Sequence, residues 1–397
     1  MPSRTLKHTT ASVLLAAGSL VAATLPATAD AHGGHRAFDR SDDGGLVYVM
    51  TNAADGNAIL VYQRDRRGRL RALPGATVPT GGRGGSDNAA VDPLGSQNAL
   101  IYAPEQALLV AVNAGDNTVS VLDASARGPR PRLLQVVDSG GFIPVSVAIH
   151  DDLLYVLNAG GSGVVSSFRI DRDGQLELLA QYDLGLSNAS TIPFNNILAP
   201  GQVGVDRLAR RLIVTHAGGG EVLAIDLDEA GVPGGPILRT PAPGVVPFSF
   251  GVTANGSILV TEAGSGSLSA FDATPAGLPL EITAASIANG QAASCWVVVH
   301  DDGFAFVSNT GSNTLSSYLV SRHGALVTLD PVAATTGGAP TDLTLAGDQH
   351  FVYTLDAAGG SISGFRVDGE SGALAAVWTQ SGLPAGAGLQ GIAARDF

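Results

Sequence analysis

The 397-residue sequence predicts an all-β fold, a seven-bladed β-propeller in which blade one is closed by the C-terminal strand. Three observations predict it. A two-strand unit, plainest in GFAFVSNTGSNTLSSYLVSRHGAL from Gly303 to Leu326, recurs seven times. With the polar residue that ends its first strand as a register mark, the copies sit at Asn52, Asn113, Asn158, His216, Glu262, Asn309 and Asp356, 45 to 61 residues apart. Short strands joined by Gly/Asn/Ser/Asp turns at such a period are the signature of a radial array of sheets. Finally, the chain ends in QGIA from Gln390, a copy of the strand that precedes each unit, with no further unit behind it.

Taken in order, residues 1–29 read as a secretory signal peptide. Arg4 and Lys7 form the charged start, Ser12 to Leu25 the apolar middle, and Ala27-Thr28-Ala29 a small-residue cleavage site, with a cut after Ala31 as the alternative. The apolar part is too short for a membrane span, so a secreted or extracytoplasmic protein is expected. Residues 30–44 are a polar lead-in without periodicity, and the propeller is expected over 45–397. Leu46 opens directly on the strand that carries the mark. Blade one therefore lacks its innermost strand, and the unpaired copy near Leu389 to Ala394 is left to supply it, which closes the ring and removes exposed edges.

Each unit repeats the same logic. An apolar run (VYVMTN, LVAVN, LYVLN, LIVTH, ILVTE, FVSN, VYTLD) leads to the mark, and a second strand then ends in Tyr62, Leu122, Phe168, Ile225, Phe271, Tyr318 or Phe365. Another apolar strand precedes each later unit, so a blade has four strands, here called a to d from the axis outward. The Gly-rich insertion Pro79 to Gln97 lengthens the interval before blade two. It lacks the lysine and downstream helix of a phosphate loop, and a flexible loop over one face is expected. His150 and His300, each before Asp-Asp, share a turn position.

Composition excludes several functions. The chain carries 22 basic against 35 acidic residues, and removal of the signal takes away two of the bases. Nucleic acid and anionic membranes are not expected partners of so acidic a protein. Lys7 is the only lysine, which rules out lysine chemistry in the mature chain, and Cys295 is the only cysteine, which rules out an intramolecular disulfide. No HExxH, CxxC or GxSxG motif is present. Burial alone holds the fold, and a monomer is expected.

Chemistry is expected where the loops after strand b and the starts of strand a meet at one end of the ring. The marks form one circle there. Asn and Asp suit such turns, so His216 and Glu262, which break the pattern in adjacent blades, are the candidate catalytic pair, a base and its partner. The starts of strand a form a second circle, Asn98, Ser146, Gln202, Ser249, Cys295, Asp342 and Gln390, polar although each opens an apolar strand. All but Cys295 are candidate substrate-binding residues at the channel mouth, with Arg83 supplying charge from the loop above. Asp342 and Asp356 are an acidic pair suited to a cation, calcium being the ion expected if one is held.

The stretches VYVMTNAADGN, LYVLNAGGSG, FAFVSNTGSNTLSSY and TTGGAPTDL, within Gly45 to Phe397, resemble the seven-bladed propeller lactonase family. This group includes 6-phosphogluconolactonase and the fungal carboxymuconate cyclase and overlaps the YVTN-type repeat propellers. The resemblance implies a lactonase-like hydrolase or cyclase acting on a small lactone or carboxylate, with Glu262 as the nearest match to a family carboxylate. Here strand a starts with FIPVS, LAPGQ, VVPFS, QAASC or GGAPTD, without the histidine of the family's G-P-R-H. The alternative expectation is a non-catalytic extracytoplasmic scaffold that binds a glycan, peptide or protein on its loop face.

Overall fold

The computed structural model describes residues 43–86, 91–125, 130–188, 198–206, 208, 210–321 and 324–397. The expected signal peptide and nearly all of the lead-in lie outside them. The described chain forms 28 strands in seven four-stranded antiparallel sheets. Blade one combines β1 (Asp43–Met50), β2 (Ala58–Asp65) and β3 (Leu70–Pro79) with the last strand of the chain, β28 (Ile392–Asp396), on its inner side. The predicted closure is thus present, with Gly45 to Val49 paired antiparallel to Asp396 to Ile392. Arg64 on β2 reaches Asp396 at 2.5 Å and Arg395 donates to the Ala124 carbonyl of blade two at 2.6 Å, so the closing strand is bound on both sides.

The six remaining blades are continuous in sequence. Their innermost strands are β4 (Leu100–Ala103), β8 (Pro144–His150), β12 (Pro200–Asp206), β16 (Pro247–Val252), β20 (Ser294–Val299) and β24 (Pro340–Ala346). These and β28 touch in cyclic order around the axis. The apolar runs before the marks become b strands buried throughout, as in Leu108–Asn113, Leu153–Asn158, Phe304–Asn309 and Phe351–Asp356. They are apolar on both faces because each sheet is sandwiched between two others. The outermost strands, such as Leu176–Asp183, have only one covered edge and alternate in exposure. Among the described residues no helix is long and apolar enough to cross a membrane.

Deleting Ile392 to Phe397 should therefore abolish the single cooperative unfolding transition, because blade one loses its inner strand and two edges are bared. Calorimetry and size-exclusion chromatography check this, and a monomer with an unchanged transition would contradict the closure.

Candidate active site at the channel mouth

The register marks act as clasps. Five of the b strands end in a residue bonded to a serine on the neighbouring c strand: Asn113 Nδ2 donates to Ser120 Oγ at 2.7 Å, Asn158 to Ser166 at 3.2 Å, and Asn309 to Ser316 at 2.8 Å. Where the mark is a carboxylate the serine donates instead, Ser269 to Glu262 at 2.6 Å and Ser363 to Asp356 at 2.5 Å. A hydroxyl serves either partner because it both donates and accepts. The carboxylates also accept an N–H from the loop between the preceding blade and their own strand a, Gly244 for Glu262 and Gly337 for Asp356. Burial pushes the Asp356 carboxyl above its ordinary range.

The structure gives each member of the predicted catalytic pair partners of its own. Glu262 is fully buried and accepts from Ser267, Ser269 and Gly244. His216 is bonded through Nδ1 to Glu221 at 3.0 Å, and Glu221 is itself paired with Arg239. The fold therefore gives each member of the pair its own partner, and neither lines the cavity described below. Arg83 stays at the rim, with its side chain 61% exposed, its N–H on Asp116 Oδ2 at 3.0 Å and its guanidinium 3.9 Å from the same oxygen. Asp342 accepts from the N–H of Leu343 and of Ile392. Among the described residues no group of three or more His, Cys, Asp or Glu side chains is placed to hold a metal ion.

The second circle needs a correction of register in two blades. Pro144, Pro200, Pro247, Ser294 and Pro340 pair with the marks, and a bulge follows each. Counting through it, blade two contributes Ala99 instead of Asn98, since Leu100 faces Ala111, and blade six contributes Trp296 instead of Cys295, since Trp296 faces Ser308. The circle is Ala99, Ser146, Gln202, Ser249, Trp296, Asp342 and Gln390, and every member is buried.

Two of its members, Trp296 and Gln390, are bonded to the insertion before blade two, expected as a surface loop. Residues Pro93 to Gln97 are buried inside the channel mouth as a stopper. The Gln390 side chain accepts from Leu94 N–H at 3.1 Å and donates to the Ser96 carbonyl at 2.8 Å. Trp296 Nε1 donates to the same carbonyl at 2.7 Å, while Ser96 Oγ donates to the Val145 carbonyl. The Gln97 side chain exchanges two bonds with the Val297 backbone, at 2.8 and 3.1 Å. Its backbone N–H donates to the Gly201 carbonyl at 3.1 Å. The amide of Gln390, expected to hold substrate, thus holds the chain's own loop, which is bonded to blades one, three, four and six.

Above the stopper lies a cavity of about 250 Å³, lined by Asp92, Gly95, Val246, Phe248, Ala263, Gly264, Ala293 and Cys295. Asp92 is the one carboxylate among these residues. The turn is held by Gly95 N–H on Asp92 Oδ1 at 2.8 Å, and burial pushes the Asp92 carboxyl up from the ordinary 3.8 to about 7 against the hydrogen bonds from Gly95 and Gln390. Asp342 is pushed well up by burial and by the Asp92 charge, and burial and the same charge raise the Cys295 thiol. Val246 and Ala293 lie at φ of 61° and 55°, a region that residues other than glycine seldom occupy. The arrangement is a carboxyl group, its hold on the proton strengthened by burial, at one wall of an otherwise apolar cleft. Sequence reasoning passed over Asp92, although an apolar Pro-Leu pair inside a polar, Gly-rich loop is a signal of burial.

A family model described as "Lactonase, 7-bladed beta-propeller" matches residues 94–387. No curated protein matches the sequence. Among solved structures, a protein from Lactobacillus plantarum is similar with a TM-score of 0.69 at 17% identity, over 89% of this chain and 99% of that one. The Pseudomonas aeruginosa periplasmic gluconolactonase is similar with a TM-score of 0.67 at 18% identity, over 87% of this chain and 98% of that one. At such identities these likenesses establish the fold.

Two outcomes are expected. Gln97→Ala leaves the buried Val297 N–H and carbonyl without their side-chain partner and should lower stability by about 2–4 kcal/mol in a denaturant titration; an unchanged midpoint would mean that the stopper is not held as described. Asp92 and Asp342 bind protons more tightly in the folded protein than in the unfolded chain, so stability should fall as pH rises above about 4. The Asp92 share is fully present below that pH and is lost as pH rises through about 7. Thermal midpoints between pH 4 and 8 should show a shallower fall in Asp92→Asn than in the wild type.

Proposed function

Since the chain belongs to the lactonase, seven-bladed β-propeller family, we propose that it hydrolyses a small lactone in the channel-mouth cavity, with Asp92 as general base. The observation that carries this reading is the position of Asp92, a carboxylate on the wall of an otherwise apolar cavity that also borders the stopper at Gly95. In its ionised form Asp92 takes a proton from a water molecule as the water oxygen bonds to the lactone carbonyl carbon. The ring C–O bond then breaks, and the proton passes to the departing ring oxygen, giving the open hydroxy acid. Raising the carboxyl toward 7 makes it a stronger base than an ordinary aspartate.

The reaction takes place outside the cytoplasm, a reading supported by the charged, apolar and small-residue succession of residues 1–29. The name of the periplasmic Pseudomonas relative is in keeping with it. Glu262 and His216 serve the scaffold, as their bonds to Ser267, Ser269 and Glu221 support.

The test is a pH-indicator hydrolysis assay of the purified protein on a lactone panel. Asp92→Asn should lower kcat/KM by about 10²- to 10⁴-fold, while folded Glu262→Gln and His216→Gln should stay within a few-fold of wild type. The rate should rise with pH to a plateau above about 7, since the base must be ionised, and this limb should vanish from any residual activity of Asp92→Asn. Full activity in Asp92→Asn would end the assignment.

A further inference from the structure

The residue that stands two places before the residue paired with the mark occupies an equivalent place on the mouth face in several blades. Its carbonyl accepts an N–H from the loop after strand b, as Phe142 does from Gly160, Val245 from Gly264 and Ala292 from Gly311. In blade two Arg83, from the long insertion, takes that place and accepts from Gly115. Leu198 has the position in blade four, where its carbonyl lies against Gly218, so close that a Cβ there would collide with it. These contacts put one rim residue from each of these blades around the mouth. In three consecutive blades it is a large apolar side chain left to solvent: Phe142 is 52% exposed, Leu198 48% and Val245 63%. Val245 adjoins Val246, which lines the cavity, so the apolar rim position of blade five leads into the cavity between blades five and six, with those of blades four and three next around the rim.

Resting on the reading of the cavity as a lactonase site, we infer that its substrate is an uncharged lactone carrying an unbranched alkyl chain. The lactone ring sits beside Asp92 and the chain lies along Val245, Leu198 and Phe142. Two features of the site favour this occupant over a sugar lactone. Among the described lining residues there is no Arg, Lys or His, and the one ionisable group beside Cys295 is an acid. A phosphate would meet that negative charge with no lining cation to offset it. The lining also offers few groups to replace the hydrogen bonds that a polyhydroxylated ring makes to water, and burying such a ring unpaired is costly. A methylene chain has no hydrogen bonds to lose on entering and gains from removal from water.

Two measurements on the full folded protein test the inference. The first is kcat/KM for a series of γ-alkyl-γ-lactones, compared with an unsubstituted γ-lactone, gluconolactone and a phosphorylated sugar lactone. Each added methylene should raise kcat/KM by about three- to fourfold over the first few carbons, and the phosphorylated lactone should be the poorest substrate. The second uses 3-alkylcyclopentanones, in which a methylene replaces the ring oxygen, so that the carbonyl and the chain keep their relative places but the ring cannot be hydrolysed. Their Kd by calorimetry should fall by a similar factor per methylene, and Val245→Asp or Phe142→Asp should flatten that slope. Both rim side chains are exposed, so these variants are expected to fold. A flat chain-length profile, or tighter handling of the sugar lactones, overturns the inference while leaving hydrolysis at Asp92 standing. Chain-dependent binding of the ketones without turnover of any lactone does the reverse: it supports the apolar site and removes the hydrolase.

Discussion

A ring of seven sheets encloses a central channel that its inner strands do not fill by themselves. The innermost strands touch only their neighbours around the circle, and the side chains they turn inward face a common space. In this protein that space is filled by Pro93 to Gln97, whose main-chain and side-chain groups meet the Gln390, Trp296 and Val297 groups of blades some two to three hundred residues further along the chain. The solution is hydrogen bonding instead of further apolar packing, because the ends of inner strands present backbone N–H and carbonyl groups that must be paired once buried. The polar character of the strand a starts follows from this need. Its consequence for function is equally direct: the stopper borders the mouth cavity at Gly95 and brings the preceding Asp92 to its wall.

Around this plugged axis, the marks and their serines do a second structural task. Each clasp ties the end of strand b to strand c and to the loop that leads to the inner strand, from Thr80, Ser139, Gly244, Asn289 and Gly337 in turn. Asn, Asp and Glu can exchange at the mark because the serine reverses its role from acceptor to donor. A change from amide to carboxylate there looks like the appearance of a catalytic group when read along the sequence. In space the carboxylate occupies the same hydrogen-bonding device as the amide it replaces. Blade four departs further, with His216 turned to Glu221, itself paired with Arg239, in place of a serine.

The acid at the mouth and the arc of Phe142, Leu198 and Val245 use the freedom that the clasped scaffold leaves. Rim positions bond the loops through backbone carbonyls, so their side chains are free to vary without disturbing the blades. Such positions on loops held by a rigid frame are where binding properties are set in many folds. The same frame appears in proteins less than one-fifth identical to this one, which agrees with a fold specified by apolar pattern and turns and sites specified by a few rim residues.

Seven blades, four strands in each, the closing role of the C-terminal strand and the end of the ring where loops gather were all legible in the order of residues. They rest on local period and on strand edges that must be paired, and both can be read along one dimension. The site was not legible in this way, because it depends on groups that only ring closure brings together. The bulge after Pro144 and its equivalents shifts the inner circle to Ala99 and Trp296, a displacement that spacing cannot reveal. The insertion enters the channel because its partners Gln390 and Val297 meet there once the ring is closed. Glu262 is withdrawn into a buried clasp and Asp92 is raised to neutrality by burial, and both outcomes depend on what surrounds a carboxylate in space, which no neighbour in sequence specifies.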